Sequence, residues 1–557
     1  MGGQAIPLFD YYMAPGVLQT FKKHLKQQIY SMFDYEDMKE ALDTQLMEKI
    51  VSAQKHMDFD VQILHKLVPN NIDANERGRL LRNISKCYNR AVSMTDRDTY
   101  QAMEALVANL NTMHSRCGAQ VPFSSINYGT DTSPEGRMVI KNLLLADEAG
   151  LGDGETPIFP IAIFKVKEGV NYNETDPNYD LLQLACRVTS LRLFPNFAFL
   201  DSPFNKAFYK PGVPESEVGY MGCRTRVMTN IYSKKKEVIA GRGNLSFTTV
   251  NLPRLGIKHG IALGAEQADM DGFFKELEMM CDMVKDQLLE RFKLQAKKKV
   301  KNFPFLMGSG VWQDSEKLNP EDTLEKVLKH GTLTIGFIGL SECLIALTGK
   351  HHAESKESQE LGLKIIGFMR EKCDSYCEKY KMNFSLIATP AEGLSGRFIK
   401  LDKERYGIIP RITDKEYYTN SNHVDVGYQI SVKDKLAIEA PYHDLTNGGH
   451  IAYVELDGLT AANPEAIMQV VRMMHDAGIG YGAINHPVDR DPVCGYTGII
   501  GDVCPRCGRK DGEAVPLDLV MKYKGSMYHH YKIADKPNIF NPVTTNSLDV
   551  SDKEPKN

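Results

Sequence analysis

The chain contains the run Thr332-Leu333-Thr334-Ile335-Gly336-Phe337-Ile338-Gly339-Leu340, in which almost every residue is apolar or β-branched. A short run of this composition indicates a β-strand. Comparable runs recur after residue 118 and alternate with stretches of helical periodicity, and they cover residues 120–127, 245–252, 383–388 and 451–456. This alternation predicts an α/β architecture.

Two long helices follow from apolar residues spaced three and four positions apart. One apolar stripe runs from Met270 to Phe292, and the other runs from Leu361 to Tyr380. Both helices are expected to pack on a sheet as an outer layer. The first 110 residues have a similar spacing, and residues 34–67 and 92–110 contain neither Gly nor Pro. The N-terminal region is therefore predicted to be helical.

The composition is that of an ordinary globular protein, with 557 residues, 42% of them hydrophobic and 25% charged. These values exclude a disordered chain, a collagen and a coiled coil. The net charge is −4, and because a basic excess is lacking we expect no nucleic-acid partner. No window reaches the roughly 18 apolar residues of a membrane span, and the N-terminus has no signal-peptide pattern. We therefore expect a cytoplasmic protein without membrane contacts.

The cysteines indicate a metal site near the C-terminus. There are eleven, mostly scattered through apolar segments, which favours reduced thiols over a disulfide scaffold. Cys494 precedes the turn Cys504-Pro505-Arg506-Cys507-Gly508, and a Cys-x-x-Cys-Gly turn lets two thiolates bind one Zn²⁺. Cys494 can supply a third ligand, and the fourth could be Asp491, His486 or water. The alternatives are a redox cysteine pair and a metal site that has been lost.

Two other segments carry side chains suited to chemistry. Cys223 lies between Gly222 and Arg224 in a region that reads as a loop, and a thiol flanked by cations is a candidate reactive cysteine. Residues 386–397 predict a strand that runs into a Pro- and Gly-rich turn. Turns at strand ends are where α/β folds bind substrates, and their backbone N–H groups can hold phosphate, although an ordinary turn is the alternative. The pair His351-His352 is more typical of a surface position than of a metal site.

Several common signatures are absent from the sequence. It contains no Walker motif, no Gly-x-Gly-x-x-Gly and no Gly-x-Ser-x-Gly. P-loop hydrolysis, dinucleotide-dependent redox chemistry and hydrolase-type acyl transfer therefore lack their usual sequence evidence.

Further segments have a characteristic composition and order: Gly2-Gly3-Gln4-Ala5-Ile6-Pro7, Gln120-Val121-Pro122-Phe123-Ser124-Ser125, Met221-Gly222-Cys223-Arg224-Thr225, Gly241-Arg242-Gly243-Asn244, Val250-Asn251-Leu252-Pro253-Arg254, His330-Gly331-Thr332-Leu333, Ala388-Thr389-Pro390-Ala391-Glu392, Glu439-Ala440-Pro441-Tyr442-His443 and Ile484-Asn485-His486-Pro487. With the cysteine cluster, they make residues 2 to about 515 resemble the catalytic subunit of the anaerobic, glycyl-radical (class III) ribonucleoside-triphosphate reductases. The resemblance implies a ten-stranded α/β barrel with a C-terminal zinc knuckle. In that barrel a finger loop carries a cysteine into the centre, and Cys223 matches its position.

The resemblance also implies a reaction. In the family, a radical S-adenosylmethionine activase generates a glycyl radical near the C-terminus, and this radical oxidises the finger-loop cysteine to a thiyl radical. The thiyl radical takes the ribose 3′-hydrogen, the 2′-hydroxyl leaves as water, and formate or a thioredoxin-type dithiol supplies the reducing equivalents. The implied activity is anaerobic reduction of ribonucleoside triphosphates to 2′-deoxyribonucleoside triphosphates, by a homodimer that responds to nucleotide effectors.

The family's site residues carry over onto matching positions of this chain. Cys223 would be catalytic, and Asn244 resembles a polar residue that faces the ribose. Cys343 could be a reductant-related thiol, with a core position as the alternative. The substrate would contact two serines and one turn: Ser124, Ser125, Thr389, Pro390, Ala391 and Glu392.

The sequence departs from the family pattern at both ends. Family members have a first barrel strand with a second active-site cysteine ahead of Gly2-Gly3-Gln4, so the barrel is expected to be incomplete at its N-terminus. Their radical segment has a Gly-Tyr pair shortly after the zinc cysteines. In this chain Gly525 lies at about the corresponding position, but it is not followed by Tyr. Separate N-terminal and glycyl-radical polypeptides, an inactive truncated product, or diverged ends would each explain the difference.

We expect four regions along the chain. Residues 1–115 form a helical region with dimer and effector contacts, residues 116–483 form the barrel, residues 484–515 form the zinc knuckle, and residues 516–557 form a divergent, partly disordered tail. The alternative to a reductase component is a non-catalytic truncated or split homologue that binds nucleotides and zinc. A glycyl-radical acyl lyase is a third possibility, which the Cys-x-x-Cys knuckle disfavours.

Overall fold

The computed structural model describes most of the chain between residues 3 and 517. The described residues are 3–33, 48, 51–52, 55–57, 73–113, 121–152, 154–222, 224–228, 230–232, 239–425, 427–456, 463–486, 489–498, 500, 503–510, 515 and 517. Cys223, Gly525 and the predicted disordered tail lie outside the described residues, and of Glu392 only the backbone is described.

The strands of the described residues form two larger sheets and two hairpins. In chain order they are β1 (Gln4–Ile6), β2 (Ser124–Tyr128), β3 (Ile161–Val166), β4 (Asn196–Phe199), β5 (Tyr220–Met221), β6 (Thr225–Arg226), β7 (Asn244–Asn251), β8 (Thr332–Ile338), β9 (Asn383–Ala388), β10 (Ala452–Glu455), β11 (Tyr481–Asn485), β12 (Asp489–Arg490) and β13 (Thr497–Gly498). A six-stranded sheet has the order β1-β2-β3-β4-β11-β10, and a three-stranded sheet has the order β7-β8-β9. Strands β5 and β6 pair with each other, as do β12 and β13.

The two larger sheets are connected and contain one reversal of direction. Strands β1 to β4 run parallel, β11 is antiparallel to β4, and β10 is parallel to β11. Strands β7, β8 and β9 are parallel to one another. A parallel bridge between Ile387 and Gly449 joins β9 to the segment before β10. One continuous order therefore runs from β1 to β7, and these two are its outer strands among the described residues.

The helices cover the outer faces of both sheets. They are α1 (Phe9–Phe33), α2 (Ala74–Thr112), α3 (Pro134–Ala149), α4 (Tyr179–Arg192), α5 (Pro203–Lys206), α6 (Leu252–His259), α7 (Met270–Ala296), α8 (Glu325–Leu328), α9 (Leu340–Thr348), α10 (Lys356–Tyr380), α11 (Glu392–Tyr406), α12 (Val432–Leu445) and α13 (Pro464–Asp476), with 3₁₀ turns at Pro214–Ser216, Val300–Asn302 and Ser315–Lys317. One apolar core joins α1 to α4 and α13 with the six-stranded sheet, and a second joins α6, α7, α9 and α10 with the three-stranded sheet.

Both predicted helical stripes are confirmed. On α7, Phe273, Leu277 and Leu288 are fully buried, and on α10 Ile365 and Met369 are fully buried. Removing such side chains from water contributes about 1.5–3 kcal/mol each, which explains why these helices pack where their sequence spacing indicates. In the helical N-terminal region α1 and α2 are described, whereas most of residues 34–67 lie outside the described residues. No described helix combines the length and the apolarity that crossing a membrane requires.

The surface position expected for His351 and His352 is wrong, because both are almost fully buried. The Nε2 atom of His352 lies 3.0 Å from the carbonyl oxygen of Asn422, and the His351 ring packs edge-on against Tyr428 at 4.6 Å. A loop from a distant part of the sequence therefore covers them.

Candidate active site

A short hairpin, β5–β6, lies between the two larger sheets. Tyr220 pairs with Arg226 and Met221 pairs with Thr225, so that three residues of the sequence, 222–224, separate the two strands. Cys223, the predicted catalytic cysteine, is the central residue of that sequence and is itself outside the described residues. Its neighbours Gly222 and Arg224 are described, and they show how the chain is held on either side of it.

The first arm of the hairpin is bound to β2. The Oδ1 atom of Asn127 accepts the N–H of Tyr220 at 2.8 Å, and its Nδ2 donates to the carbonyl of Tyr220 at 2.9 Å. The Oγ atom of Ser125 accepts the N–H of Gly222 at 2.8 Å, while the hydroxyl of Tyr481 donates to the carbonyl of Gly222 at 3.2 Å. Side chains thus satisfy backbone groups that would otherwise be buried without partners.

The second arm is bound to the segment that links the two sheets. Thr225 forms an antiparallel bridge with Gly449, and the N–H of Arg226 donates to the carbonyl of Gly448 at 2.9 Å. Gly449 has a φ of +135°, and a Cβ at this position would lie 1.9 Å from the carbonyl oxygen of Arg224. Only glycine allows the hairpin to approach this closely.

Replacing Gly449 with Ala is expected to destabilise the protein by about 1–3 kcal/mol, because the added methyl group must displace the hairpin. Urea unfolding measures the effect. Gly169→Ala is a matched control, since Gly169 also has a positive φ of +80° but no atom of the described residues within 4 Å of its Cβ position. An equal loss in both variants would contradict the close contact at Gly449.

Arg224 connects the hairpin to the predicted substrate turn. Its Nη1 atom donates to the carbonyls of Ala388 and Thr389 and to the Oγ of Ser421, each at 3.1 Å. The Ser421 hydroxyl in turn donates to the Thr389 carbonyl at 2.9 Å, and Ser421 has a φ of +50°. A non-glycine residue in this left-handed region is uncommon and is often found at functional sites.

The predicted substrate turn connects β9 to α11. Thr389 is buried, its Oγ1 lies 3.0 Å from the Oγ1 of Thr249, and the N–H of Ala391 donates to the Oδ1 of Asn420 at 3.1 Å. Helix α11 begins at Glu392, and no side chain of its N-cap residue Ala391 bonds the first turn. The first N–H groups of a helix that lacks such a cap suit an anion.

Buried histidines lie next to the hairpin. The rings of His443 and His450 stack at 4.1 Å, and the Nε2 atom of His450 lies 3.1 Å from the hydroxyl of Tyr220. Burial lowers the pKa of His443 to about 3 and the pKa of His423 to about 4. Burial opposes the ionisation of Glu439, but Lys435 and His423 hold its pKa below the usual range. These imidazoles are therefore neutral at pH 7.

The histidine pKa values predict that the protein is more stable at pH 7 than at pH 5. At pH 5 a histidine is protonated in the unfolded chain, where its pKa is near 6.5, but not in the folded protein. The unfolded state then binds more protons, so each such histidine lowers the free energy of unfolding by about 2 kcal/mol. Urea unfolding at both pH values, with His443→Asn as a variant that flattens the slope, measures this loss. Equal stability at both values would contradict it.

The structure brings Ser125 and the Thr389 turn together at the hairpin, but it places Asn244 elsewhere. Asn244 is the first residue of β7, where it is aligned with Thr332 of β8 and, through it, with Asn383 of β9. This is the N-terminal end of the three-stranded sheet, whereas Thr389 follows the C-terminal end of β9. The five steps from Asn383 to Ala388 correspond to about 17 Å. The catalytic role of Asn244 stays a prediction, as does that of Ser124 at the start of β2.

The predicted metal ligands form one cluster around the β12–β13 hairpin. Asp491, Cys494, Cys504 and Cys507 each offer a donor atom, and these atoms all lie within 4.8 Å of one another. The Sγ atoms of Cys494 and Cys504 are 3.6 Å apart, and the Sγ of Cys507 is 3.0 Å from the Oδ2 of Asp491. The Nε2 of His486 instead faces the carbonyl of Thr189 at 2.6 Å. The geometry favours Asp491 as the fourth ligand.

Sequence reasoning missed the residues that hold the hairpin in place. Asn127, Gly449 and Tyr481 bind its backbone, and the segment Thr419-Asn420-Ser421-Asn422-His423 braces both Arg224 and the substrate turn. One signal was available in the sequence. Five consecutive uncharged polar or imidazole side chains indicate a loop, and all five are buried in the structure.

Comparisons with known proteins show which family this chain resembles. The family model described as anaerobic ribonucleoside-triphosphate reductase matches residues 1–521. The enzyme of that name from enterobacteria phage T4 is 35% identical over 77% of this chain and 68% of its own length, and the one from Escherichia coli is 32% identical over 80% and 61%. The chain thus spans about 60–68% of the length of the curated relatives it matches.

Solved structures agree at the level of the fold. A structure described as anaerobic ribonucleotide reductase superposes with a TM-score of 0.53 at 16% identity, covering 90% of this chain and 84% of the other. The anaerobic ribonucleotide reductase from Thermotoga maritima in complex with dATP and CTP gives a TM-score of 0.51 at 14% identity, covering 94% and 90%. The family match and the identities to the phage and bacterial enzymes establish that this chain belongs to the anaerobic ribonucleoside-triphosphate reductase family.

Proposed function

We propose that the chain is the central part of a catalytic subunit that reduces ribonucleoside triphosphates to 2′-deoxyribonucleoside triphosphates anaerobically, in the cytoplasm, with Cys223 as the thiyl-radical residue. The observation that supports this proposal is that hydrogen bonds hold the hairpin on both sides of Cys223. Asn127 and Ser125 bind the chain before Cys223, and Gly449 and Arg224 bind the chain after it.

The chain's own residues would position this cysteine and exclude water from it. Tyr220 and Arg224 on the hairpin are almost fully buried, as are Asn127 and Ser421 beneath it. A dry environment protects a reactive radical from side reactions. Hydrogen bonds on both sides of the turn would keep the cysteine in one place, which is the requirement for hydrogen transfer over a short distance.

The substrate triphosphate is proposed to bind at the start of α11. The uncapped first turn after Ala391 offers backbone N–H groups, and Thr389 lies beside it in a buried position. Ser125 on β2 accepts the N–H of Gly222 in the hairpin, and Ser124 precedes it at the start of the same strand. Because the Thermotoga maritima structure is described as a complex with dATP and CTP, we also propose that this chain binds nucleotide effectors. The effector and homodimer contacts are assigned to the helical region around α1 and α2.

The complete barrel is proposed to have ten strands, with one further strand between β1 and β7. Both are outer strands among the described residues, and each exposes a large apolar side chain, Ile6 on β1 and Phe247 on β7. Unpaired strand edges of this kind are suited to pairing with another strand.

The radical is proposed to come from a radical S-adenosylmethionine activase acting on a glycine in this chain, with Gly525 as the candidate, or on a separate glycyl-radical polypeptide. Formate or a thioredoxin-type dithiol would supply the electrons. At the C-terminal cluster, Cys494, Cys504, Cys507 and Asp491 are proposed to hold Zn²⁺, because three thiolates and one carboxylate are a donor set that zinc accepts. A closed four-ligand site of this kind stabilises local structure.

Anaerobic turnover tests the proposed function. The purified chain is mixed with a family activase, S-adenosylmethionine and dithionite, with and without a complementing glycyl-radical protein, and electron paramagnetic resonance is recorded for a glycyl doublet. Deoxynucleotide production is then measured with formate or with a dithiol. A doublet that disappears in Gly525→Ala would place the radical in this chain. Tight nucleotide binding without turnover under every complementation would favour the non-catalytic alternative.

A further inference from the structure

A buried hydrogen-bond network joins the first turn of α1 to the segment that leads into the β5–β6 hairpin. Its members are Asp10 on α1, Thr130 after β2, Lys165 on β3 and Glu217, which lies three residues before Tyr220. All four are buried, with at most 4% of their surface exposed. Burying a charge is costly unless it is paired or hydrogen-bonded. These residues lie outside the substrate turn and the metal cluster, so neither of those sites explains why charges are buried here.

The carboxylate of Asp10 holds the turn that follows β2. Its Oδ2 atom accepts the N–H groups of three consecutive residues, Gly129 at 2.8 Å and Thr130 and Asp131 at 3.1 Å each. Three N–H donors to one carboxylate oxygen compensate for the water that the buried charge has lost. Asp10 therefore fixes this turn relative to the first residues of α1.

Thr130 connects this turn to Glu217. While the N–H of Thr130 donates to Asp10, its hydroxyl donates to the Oε2 of Glu217 at 2.7 Å. The same carboxylate oxygen accepts a bond from the Nζ of Lys165 at 3.0 Å. Lys165 and Glu217 thus form a buried ion pair, and the carboxylate of Glu217 is held both from β3 and from the turn after β2.

The hairpin begins shortly after Glu217. Asn127 on β2 binds the backbone of Tyr220 through both of its amide atoms, and its Nδ2 also donates to the carbonyl of Ile6 on β1 at 3.3 Å. The segment is therefore attached at Glu217 and again at Tyr220, with only two residues between the attachment points. A movement of α1 relative to β2 must either move the start of the hairpin or break these bonds.

We propose that Glu217 and Thr130 are positioning residues for the reaction, which transmit the position of the first turn of α1 to the hairpin that carries Cys223. Neither residue is proposed to touch the substrate. Hydrogen transfer requires the reacting atoms in a fixed geometry, and a misplacement of about 1 Å caused far from the chemistry costs about 10²-fold in rate. The attachment itself is a property of the fold, whereas its effect on the rate rests on the proposed function.

Thr130→Val tests the connection without leaving an unpaired charge. The variant removes the hydroxyl that bonds Glu217, whereas the ion pair with Lys165 and the N–H bond to Asp10 remain. Hydrogen–deuterium exchange of the full chain is followed in the peptide that spans residues 218–226. Exchange there is expected to be about tenfold faster or more, because a hydrogen bond to a charged group no longer opposes local opening. Thr130→Ser retains the hydroxyl and is expected to exchange like wild type.

Asp10→Asn tests the connection to α1. Within the described part of the chain, the Asp10 side chain bonds the N–H groups of Tyr11 and of residues 129–131 but none of residues 217–226. Its replacement is nevertheless expected to accelerate exchange of the 218–226 peptide by a similar factor. The double variant with Thr130→Val is expected to exchange no faster than the faster single variant, because both changes break the same connection.

Turnover in the complemented anaerobic assay is the second measurement. Thr130→Val is expected to lower kcat by about tenfold or more with KM for the ribonucleotide unchanged, since the change misplaces the cysteine and touches no substrate. Thr130→Ser is expected to restore kcat. Thr95→Val is the matched control, because Thr95 is equally buried but its hydroxyl donates within α2, to the carbonyl of Ala91 at 2.7 Å. It should leave both measurements unchanged.

Two results would overturn the proposal. The first is wild-type exchange of the 218–226 peptide in Thr130→Val or in Asp10→Asn, whether or not the chain turns over. The second is faster exchange with wild-type kcat, which would mean that the attachment does not position the cysteine. Absence of turnover in the wild-type chain would instead overturn the proposed function, and the exchange experiment would still decide whether α1 is connected to the hairpin.

Discussion

Cys223→Ser is expected to abolish deoxynucleotide formation in the complemented anaerobic assay, with a loss of at least about 10³-fold. The replacement is nearly isosteric, so that we expect it to affect the reaction and not the fold. A hydroxyl cannot form the thiyl radical that takes the ribose hydrogen, and the bonds that hold Gly222 and Arg224 involve no atom of the Cys223 side chain. Turnover is measured from the deoxynucleotide product, and urea unfolding is measured in parallel.

A cysteine outside the site provides the control for this variant. Cys87 is buried on α2, where its thiol faces the carbonyl of Gln28 and the sulfur of Met32. Cys87→Ala is expected to reduce stability modestly and to leave turnover per folded molecule unchanged. If Cys223→Ser retained turnover, another residue would carry the chemistry and the proposed role of the hairpin would be wrong.

Cys504→Ser is expected to lower the zinc content from about one ion per chain to near zero, because a closed site needs all four donors. Cys504 is buried, and it packs with Ile500 and Leu517 in a small cluster of its own. Loss of the ion would therefore also loosen this cluster. Zinc is measured by elemental analysis after dialysis against a chelator, and limited proteolysis reports on the segment.

Variants of Asp491 distinguish the fourth ligand from its alternatives. The Oδ2 atom faces Cys507, whereas Oδ1 accepts bonds from Arg509 and from the N–H groups of Val493 and Cys494. Asp491→Ala should lose the metal, Asp491→Cys should retain it with four thiolates, and His486→Ala should leave the zinc content unchanged. Full zinc content in Cys504→Ser, or loss of zinc only in His486→Ala, would contradict the assignment.

Several strands and the two long helices α7 and α10 could be predicted from local sequence patterns. The run at 332–340 becomes β8 over Thr332–Ile338, and the run at 383–388 becomes β9 with the same bounds. The runs at 245–252 and 451–456 correspond to β7 and β10 within a residue or two. Burial of apolar side chains stabilises each strand and helix, and the spacing of those side chains along the sequence predicts which face is buried.

The candidate site could be predicted only in part. The cysteine motif around 494–507 predicted the metal cluster, because its ligands are close in sequence and a short loop brings them together. The choice of Asp491 over His486 needed the structure, since His486 directly follows β11 and its Nε2 atom lies 2.6 Å from the carbonyl of Thr189. Both residues precede Cys494 on the same stretch of chain, Asp491 by three positions and His486 by eight, so that the sequence alone left both open as ligands.

Composition and periodicity alone establish for this chain an α/β protein with outer helices, a C-terminal metal motif and a reactive-cysteine candidate, and the ordered motifs add the family resemblance. The tertiary structure supplies the reversal of direction between β4 and β11 and the support of the hairpin. That support comes from residues far away in sequence: Asn127 is 93 positions from Tyr220, and Ser421 is 197 positions from Arg224. The periodicity of a segment predicts which of its residues are buried. The hydrogen-bond partner of a buried polar group instead depends on which distant segments pack against it in the folded protein.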